Sequence, residues 1–412
     1  MHLDIPYGGA AVPLVLPDDA RVYRPNDVAA RDEEVLLAAA LSRTLGTPPV
    51  ADFVRGARDL LVVVNDATRP TPTGRVLARL WPHLPAGRTA FLVATGNHRP
   101  PTEDEFRQIF GPLYCEPKGR VWVHDAGDDA AHAPAGRTPR GTELFFHRAA
   151  LEAERLLVIG SVEPHYFAGY TGGRKAFLPG VAARRTIEQN HRHAMSPAAE
   201  VLALAGNPVH EDMMDAAAPF VARPHVAIMT VLDRDHRIYA AAAGQLHDAF
   251  HAAVPAANEV YAVAAAGPAD VVVAVAPFPM DIDLYQSHKA IENAKRLMAD
   301  GGVIILVSAC RMGLGDRAFW EVLASCRTPA QVAARVGDGY EVGWHKATRL
   351  AELMSRGDVW AVTTLDDDVL TRAFIRPYRD VQHALDDALA ARPAGARVAV
   401  LLDASLAVPV IT

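Results

Sequence analysis

Nearly continuous apolar runs recur along the chain, at residues 60–64, 91–94, 156–159, 226–230, 271–276 and 303–307. Runs without an alternating polar face predict strands buried on both sides, as in a parallel sheet covered by helices. Between them the apolar spacing turns helical. Residues 74–80 are amphipathic, and residues 103–110 follow Thr102, which forms a Thr-x-x-Glu capping box with Glu105. A further helix is predicted over 290–298. Strands alternating with helices read as an α/β fold. An Ala-rich stretch at 258–270 contains Gly267-Pro268, and a new strand–loop–helix unit starts after it, so a boundary is placed near residue 265. The expectation is two α/β domains, residues 1–264 and 265–396, each on a mostly parallel or mixed sheet flanked by helices. The β-run at 397–402 opens a tail, 397–412, expected to return to the first domain.

Composition narrows the class. A chain of 412 residues predicts two or three domains, and 50% hydrophobic with 22% charged residues excludes wholesale disorder. Lys and Arg number 41 against 48 Asp and Glu, a formal charge of −7, and no basic run is present. That balance argues against nucleic acid or a membrane surface as partner. Charged residues interrupt every apolar stretch before the ~18 residues of a membrane helix, and residues 1–16 lack the basic start of a secretion signal. Cys115, Cys310 and Cys326 show no C-x-x-C spacing, which suits a reducing cytoplasm.

In open α/β sheets ligands bind beyond the carboxyl ends of the strands, and three such ends here are polar. After 60–64 comes Asn65-Asp66-Ala67-Thr68-Arg69-Pro70, and after 91–94 comes Thr95-Gly96-Asn97-His98-Arg99. After 156–159 come Glu163-Pro164-His165 and Gly169-Tyr170-Thr171-Gly172-Gly173-Arg174-Lys175. Singly, each residue has an ordinary reading: Asp66 as a turn or cap, Arg69 in a surface ion pair, His98 and His165 as hydrogen-bonded loop residues. Their joint placement on one edge is the expected layout of an active site. The glycine segment is no Walker A loop, because Arg174 intervenes before Lys175 and Ala176 follows it. Its paired glycines and two basic residues nonetheless suit an anion. On a helix over 184–195, His191 and His193 point about 200° apart and cannot chelate one metal together. In the second domain, Gln286 and Lys289 share one face of a helix's first turn and can hold a carboxylate and a hydroxyl. Trp344 beside Gly343 is a further candidate cleft residue.

Taken together, the segments 66–70, 96–99, 163–175, His191 and 285–289 resemble the nickel-dependent lactate racemase family over roughly residues 5 to 405. The resemblance implies an isomerase inverting C2 of a 2-hydroxy acid in a cleft between the domains, the second closing over the substrate. It also implies a nickel-pincer nucleotide, a pyridinium-3,5-bisthiocarboxylic acid mononucleotide with nickel, attached covalently at Lys175 with His191 as metal ligand. Asp66, Ala67, Thr68 and Arg69 would hold this cofactor. His98 and His165 would be alternating acid/base residues for reversible hydride transfer. Arg69, Tyr285, Gln286, Lys289 and Trp344 would bind the substrate, and cofactor-building enzymes would be maturation partners. Thr171 stands where serine is expected to be common in the family, and it keeps the hydroxyl.

Lactate is one substrate the resemblance allows; malate or an aldonate is another, with His288, Trp344, Arg99 and Arg311 as candidates for extra contacts. An NAD-dependent dehydrogenase would need a Gly-x-Gly-x-x-Gly after 60–64, and none follows. A non-catalytic nickel- or nucleotide-binding protein would have no use for two bases.

Overall fold

The computed structural model describes residues 1–115, 119–337 and 340–412; the side chain of Cys115 lies outside the described part. The chain divides into two compact units, one of Asp27–Val260 and the other of Met1–Asn26 with Tyr261–Thr412. Both are α/β, as expected, but the partition differs from a cut at residue 265, because the first 26 residues fold with the C-terminal half.

In the N-terminal unit, six strands lie in the spatial order Gly119–Val123, Thr89–Ala94, Leu60–Asn65, Arg155–Ser161, His225–Leu232 and Ile238–Gly244. The first five are parallel and the last is antiparallel. Numbered along the chain this is 3-2-1-4-5-6, the doubly wound order. Leu60, Leu61, Val62, Val63 and Val64 are all buried, which explains the unbroken apolar run. Side chains from Leu60–Asn65 pack with Val76, Leu77 and Leu80 of helix Thr73–Leu80 and with Ile109 and Phe110 of helix Glu103–Phe110. The Thr102–Glu105 capping box is present on both sides of its reciprocal bond, which satisfies donors at that helix start. Strand order reverses between Leu60–Asn65 and Arg155–Ser161, so successive connections leave in opposite directions. A crevice at the carboxyl ends is the geometric consequence.

The C-terminal unit carries a second six-stranded sheet, all parallel, in the order Arg376–Tyr378, Asp358–Val362, Met298–Val307, Ala269–Val275, Val398–Leu401 and Arg21–Tyr23. The tail strand therefore completes this sheet and does not return to the N-terminal unit. Val400 pairs with Val273 on one side and Val22 on the other. The hairpin His2–Tyr7/Ala10–Val15 turns on Gly8 and Gly9, both at positive φ, and buries Ile5 and Leu14 in the same core. The predicted helix over 290–298 is displaced: it spans Leu284–Ala294, capped by Asp283, while Met298 already begins a strand. Among the described residues no helix is long and apolar enough to cross a membrane.

One buried carboxylate ties the N-terminal unit together. Asp212, fully buried, accepts hydrogen bonds from Thr138 Oγ1 (2.5 Å), Thr142 Oγ1 (2.8 Å) and Asn190 Nδ2 (2.8 Å). It thereby joins the Thr138–Thr142 turn to helices Arg184–Arg192 and Pro208–Ala216. Removing it strands two buried hydroxyls and leaves Asn190 Nδ2 only the Val209 carbonyl at 3.3 Å, each stranded donor costing about 1–3 kcal/mol. Asp212→Ala is expected to lower unfolding stability by roughly 3 kcal/mol or more, read as a shift in the urea midpoint. A midpoint unchanged from wild type would show that the three donors find other partners.

Candidate active site

The crevice end of Leu60–Asn65 is stitched to its neighbour by side-chain hydroxyls. Asn65 Nδ2 donates to Thr71 Oγ1 (2.7 Å), and Thr71 Oγ1 lies 2.7 Å from Ser161 Oγ at the end of Arg155–Ser161. Inside this loop Asp66 is buried and half-buried Thr68 folds back on it, with Thr68 N and Oγ1 donating to Asp66 Oδ1 at 3.0 and 2.6 Å. The other carboxylate oxygen, Oδ2, meets His98 Nδ1 at 2.7 Å. Burial alone would raise the Asp66 carboxyl, but the charge and hydrogen bond of His98, the Thr68 hydroxyl and Arg69 outweigh it and hold the carboxyl below its usual range. An ionised carboxylate on Nδ1 fixes the ring and directs Nε2 away from Asp66, the orientation an acid/base imidazole needs. Arg69 is half-buried and lines a cavity of about 430 Å³ with Asp66, Ala67 and Thr73. A larger cavity, about 530 Å³, lies against Trp122, Asp125 and His147 and touches none of the predicted site residues.

The second cluster is organised by an aromatic ring for which sequence reasoning named no role. Phe167 is buried, and its centroid lies 4.6 Å from that of His165, edge to face. It lies 5.0 Å from the ring of His191, and Lys175 Nζ stands 5.5 Å from the same centroid. His165 and Lys175 of the 163–175 segment and His191 of the following helix thus gather about one side chain. The signal was present in the Glu-Pro-His-Tyr-Phe run, which places an aromatic two residues past His165. His193 goes elsewhere, with Nε2 3.9 Å from Asp212, so the two histidines of the helix end do separate. The Thr171 hydroxyl is used within its own loop. It accepts from Glu163 N (2.8 Å), donates to Ser161 O (3.0 Å) and contacts the Glu163 carboxylate. The His98 loop is tied to the Lys175 segment through Gly96 N–H, which donates to Gly180 O at 3.0 Å.

The anion-turn reading of the Gly-Gly-Arg-Lys segment is corrected. Arg174 is fully buried, donating to the carbonyls of Ala168 (2.6 Å) and Tyr170 (2.9 Å), with its guanidinium 4.5 Å from the Phe250 ring centroid. Burial pushes it down to about 9, so it stays charged at neutral pH but faces the protein interior. The glycines serve packing. A Cβ on Gly172 would fall 2.7 Å from Ser161 O, and one on Gly173 2.9 Å from Phe250 Cβ, both at positive φ. Lys175, the other basic residue of the pair, is half-buried.

In the C-terminal unit, Tyr285, Gln286 and Lys289 occupy the first turns of helix Leu284–Ala294, with Gln286 N–H bonded to the Asp283 cap (2.6 Å). Lys289 Nζ donates to Met280 Sδ at 3.6 Å. Trp344, half-buried, opens helix Trp344–Met354. Buried Lys346, in the Gly343-Trp344-His345-Lys346 segment that the sequence offers as a further candidate, lies 3.5 Å from the Tyr285 ring centroid and donates to the Tyr285 carbonyl. Burial, with Asp316 and Asp283 nearby, pushes the Tyr285 phenol up, so it remains a protonated donor. The candidates for a larger substrate are engaged otherwise. Arg99 grips Glu105 with two bonds of 2.7 Å, Arg311 meets Asp281 at 3.1 Å, and His288 is buried beside Glu292, itself paired with Arg349.

Family models described as the lactate racemase N-terminal domain and the lactate racemase C-terminal domain match residues 7–201 and 264–410. The lactate racemase of Thermoanaerobacterium thermosaccharolyticum is 30% identical over 406 residues, covering 93% of this chain and 93% of that protein. The lactate racemase of Lactiplantibacillus plantarum is 28% identical over 418 residues, covering 97% and 98%. The solved lactate racemase apoprotein from T. thermosaccharolyticum superposes with a TM-score of 0.91 at 28% identity, over 100% of both chains. A Thermotoga maritima protein, 16% identical with a TM-score of 0.74 over 92% of this chain and 98% of its own, shares the fold.

The Asp66–His98 pair carries a pH signature. A carboxyl held below its ordinary value contributes stability that is complete above about pH 4 and is lost as the pH falls through the lowered native value. Asp66→Asn is expected to cost about 1–2 kcal/mol at neutral pH, with the difference from wild type shrinking below about pH 4. Denaturant midpoints for both proteins, measured across that range, check this; a difference independent of pH would contradict it.

Proposed function

The chain belongs to the lactate racemase family and is an isomerase, and on that footing we propose that it racemises lactate through His98 and His165, with a nickel-pincer nucleotide held by Lys175, His191 and the Asp66–Arg69 loop. The observation that carries this reading is the convergence of His165, His191 and Lys175 on Phe167. A buried imidazole and a half-buried primary amine beside one aromatic ring are a donor set suited to a planar, covalently tethered nickel group. When bound, that group supplies an electron-poor ring able to accept and return a hydride, chemistry that side chains lack.

The chain's own residues do the rest. The hydrogen at C2 of a 2-hydroxy acid is hard to remove as a proton, because the adjacent carboxylate is already negative. Its departure with two electrons is eased when the hydroxyl gives up its proton. His98 and His165 each take that proton from the hydroxyl of one antipode and return it to the other. Imidazole suits both directions at neutral pH. Asp66 keeps the His98 ring oriented. Arg69 grips the carboxylate with a planar fork, and Lys289 adds a point charge. Gln286, Tyr285 and Trp344 complete the substrate contacts assigned to the C-terminal unit. Lactate is favoured over a larger hydroxy acid because Arg99 and Arg311 are engaged with carboxylates of this chain and His288 is buried. Maturation by cofactor-building enzymes and a cytoplasmic setting, where the thiols of Cys310 and Cys326 persist, belong to the same proposal.

Three measurements test it. With lactate deuterated at C2 in ordinary water, the label is expected to be retained in the opposite antipode, and wash-out to solvent would discard hydride transfer. His98→Ala and His165→Ala should each lower turnover about 10²–10⁴-fold. Protein from a host that makes the cofactor should show a mass adduct on Lys175 that is absent in Lys175→Ala.

A further inference from the structure

A chain of contacts runs from the segment after the edge strand Gly119–Val123 to the loop bearing His98. Thr95 follows strand Thr89–Ala94, and its carbonyl accepts from His98 N–H at 3.0 Å. Its buried hydroxyl lies 2.7 Å from the His124 carbonyl and 3.0 Å from His124 Nδ1. His124, 1% exposed, follows strand Gly119–Val123 and anchors to Val93 O through its N–H (3.1 Å). Its Nε2 lies 3.1 Å from Nε2 of His132, which is 3% exposed, and His132 Nδ1 donates to Asp128 O at 2.7 Å. The two rings meet edge to face with centroids 5.2 Å apart, and His147 stands 6.4 and 6.2 Å from them.

Two imidazoles in an apolar strand end are costly unless their nitrogens are bonded. A Leu or Phe would fill the space without that cost. Here every ring nitrogen of the pair has a polar neighbour, and the chain of contacts ends on the residue that starts the His98 turn. Burial, with His132 and His147 adding to it and only Asp125 and the Ala182 backbone opposing, pushes His124 down to about 3. The ring is therefore neutral throughout the working range and holds one hydrogen-bond pattern. The 3.1 Å separation of the two Nε2 atoms is a hydrogen-bond distance between a donor and an acceptor imidazole nitrogen.

We propose that His124 and His132 are positioning residues for His98. The contacts from Asp128 through both rings to Thr95 fix where the Thr95–His98 turn leaves the sheet, and hence where the His98 ring meets Asp66. The link to turnover rests on the acid/base reading of His98; the link to geometry does not.

The test uses the full chain. Side-chain ¹⁵N NMR, which needs no cofactor, would follow the His98 ring in wild type, His124→Phe, His132→Phe and His124→Gln. In both Phe variants the His98 ring signals and titration midpoint are expected to move. The His124→Gln variant, whose side-chain amide can still bond Thr95, is expected to restore most of the wild-type pattern. In cofactor-loaded enzyme the Phe variants should lose about ten- to a hundredfold in kcat with KM nearly unchanged, and the pH–rate midpoint should follow the His98 titration. A His98 titration that moves while kcat does not would uphold the positioning and count against His98 as acid/base. His98 signals and pH profile unchanged in both Phe variants, with only the melting temperature lowered, would overturn the proposal. So would one equivalent of zinc or nickel bound to the chain and lost in both variants.

Discussion

The parallel pairing of Leu60–Asn65 with Arg155–Ser161 is the constraint from which the site follows. Because strand order reverses there, the connections after these two strands part company, one toward Thr89–Ala94 and the other toward His225–Leu232. Neither can cover the gap between them. The Thr71–Ser161 hydroxyl contact then closes the base of the gap. Asp66, His98, Glu163 and His165 all lie within a few residues of strand ends on this side of the sheet, so their loops need no length to reach a common region.

Charge is handled differently on the two sides of that base. Asp66 is kept ionised by an imidazole, two hydroxyl or amide donors and a nearby arginine. Arg174 is buried without a carboxylate, and its terminal nitrogens donate to carbonyls, so it shapes the loop that carries Lys175 without neutralising anything in the crevice. Asp212 is likewise held by neutral donors. Buried charges of this kind cost desolvation that only well-aimed dipoles offset. They therefore act as local anchors of geometry.

The histidines of this unit fall into separate populations for the same reason. His98 is about a third exposed and paired with a carboxylate. His124 and His132 are buried and bonded to each other, and His210 is pushed down to about 3 by burial and by nearby Arg174. Environment, and not residue type, decides which imidazole can exchange a proton near neutral pH.

Much of this was legible along the chain. Unbroken apolar runs marked strands covered on both faces, since a residue's burial is a property it carries alone. The capping box located a helix start to the residue, and the polar strand ends pointed to Asp66, His98, His165 and Lys175. What the tertiary structure alone decided depends on pairs. Val22 against Val400 moved the first 26 residues into the C-terminal unit, a match between three-residue stretches with no local signal. Phe167 became the centre of a cluster, Arg174 turned inward, and Thr95 met His124, because register and strand order brought distant segments together. A sequence names the groups that can donate, accept or pack; partner choice is a competition settled only when the backbone has fixed the distances.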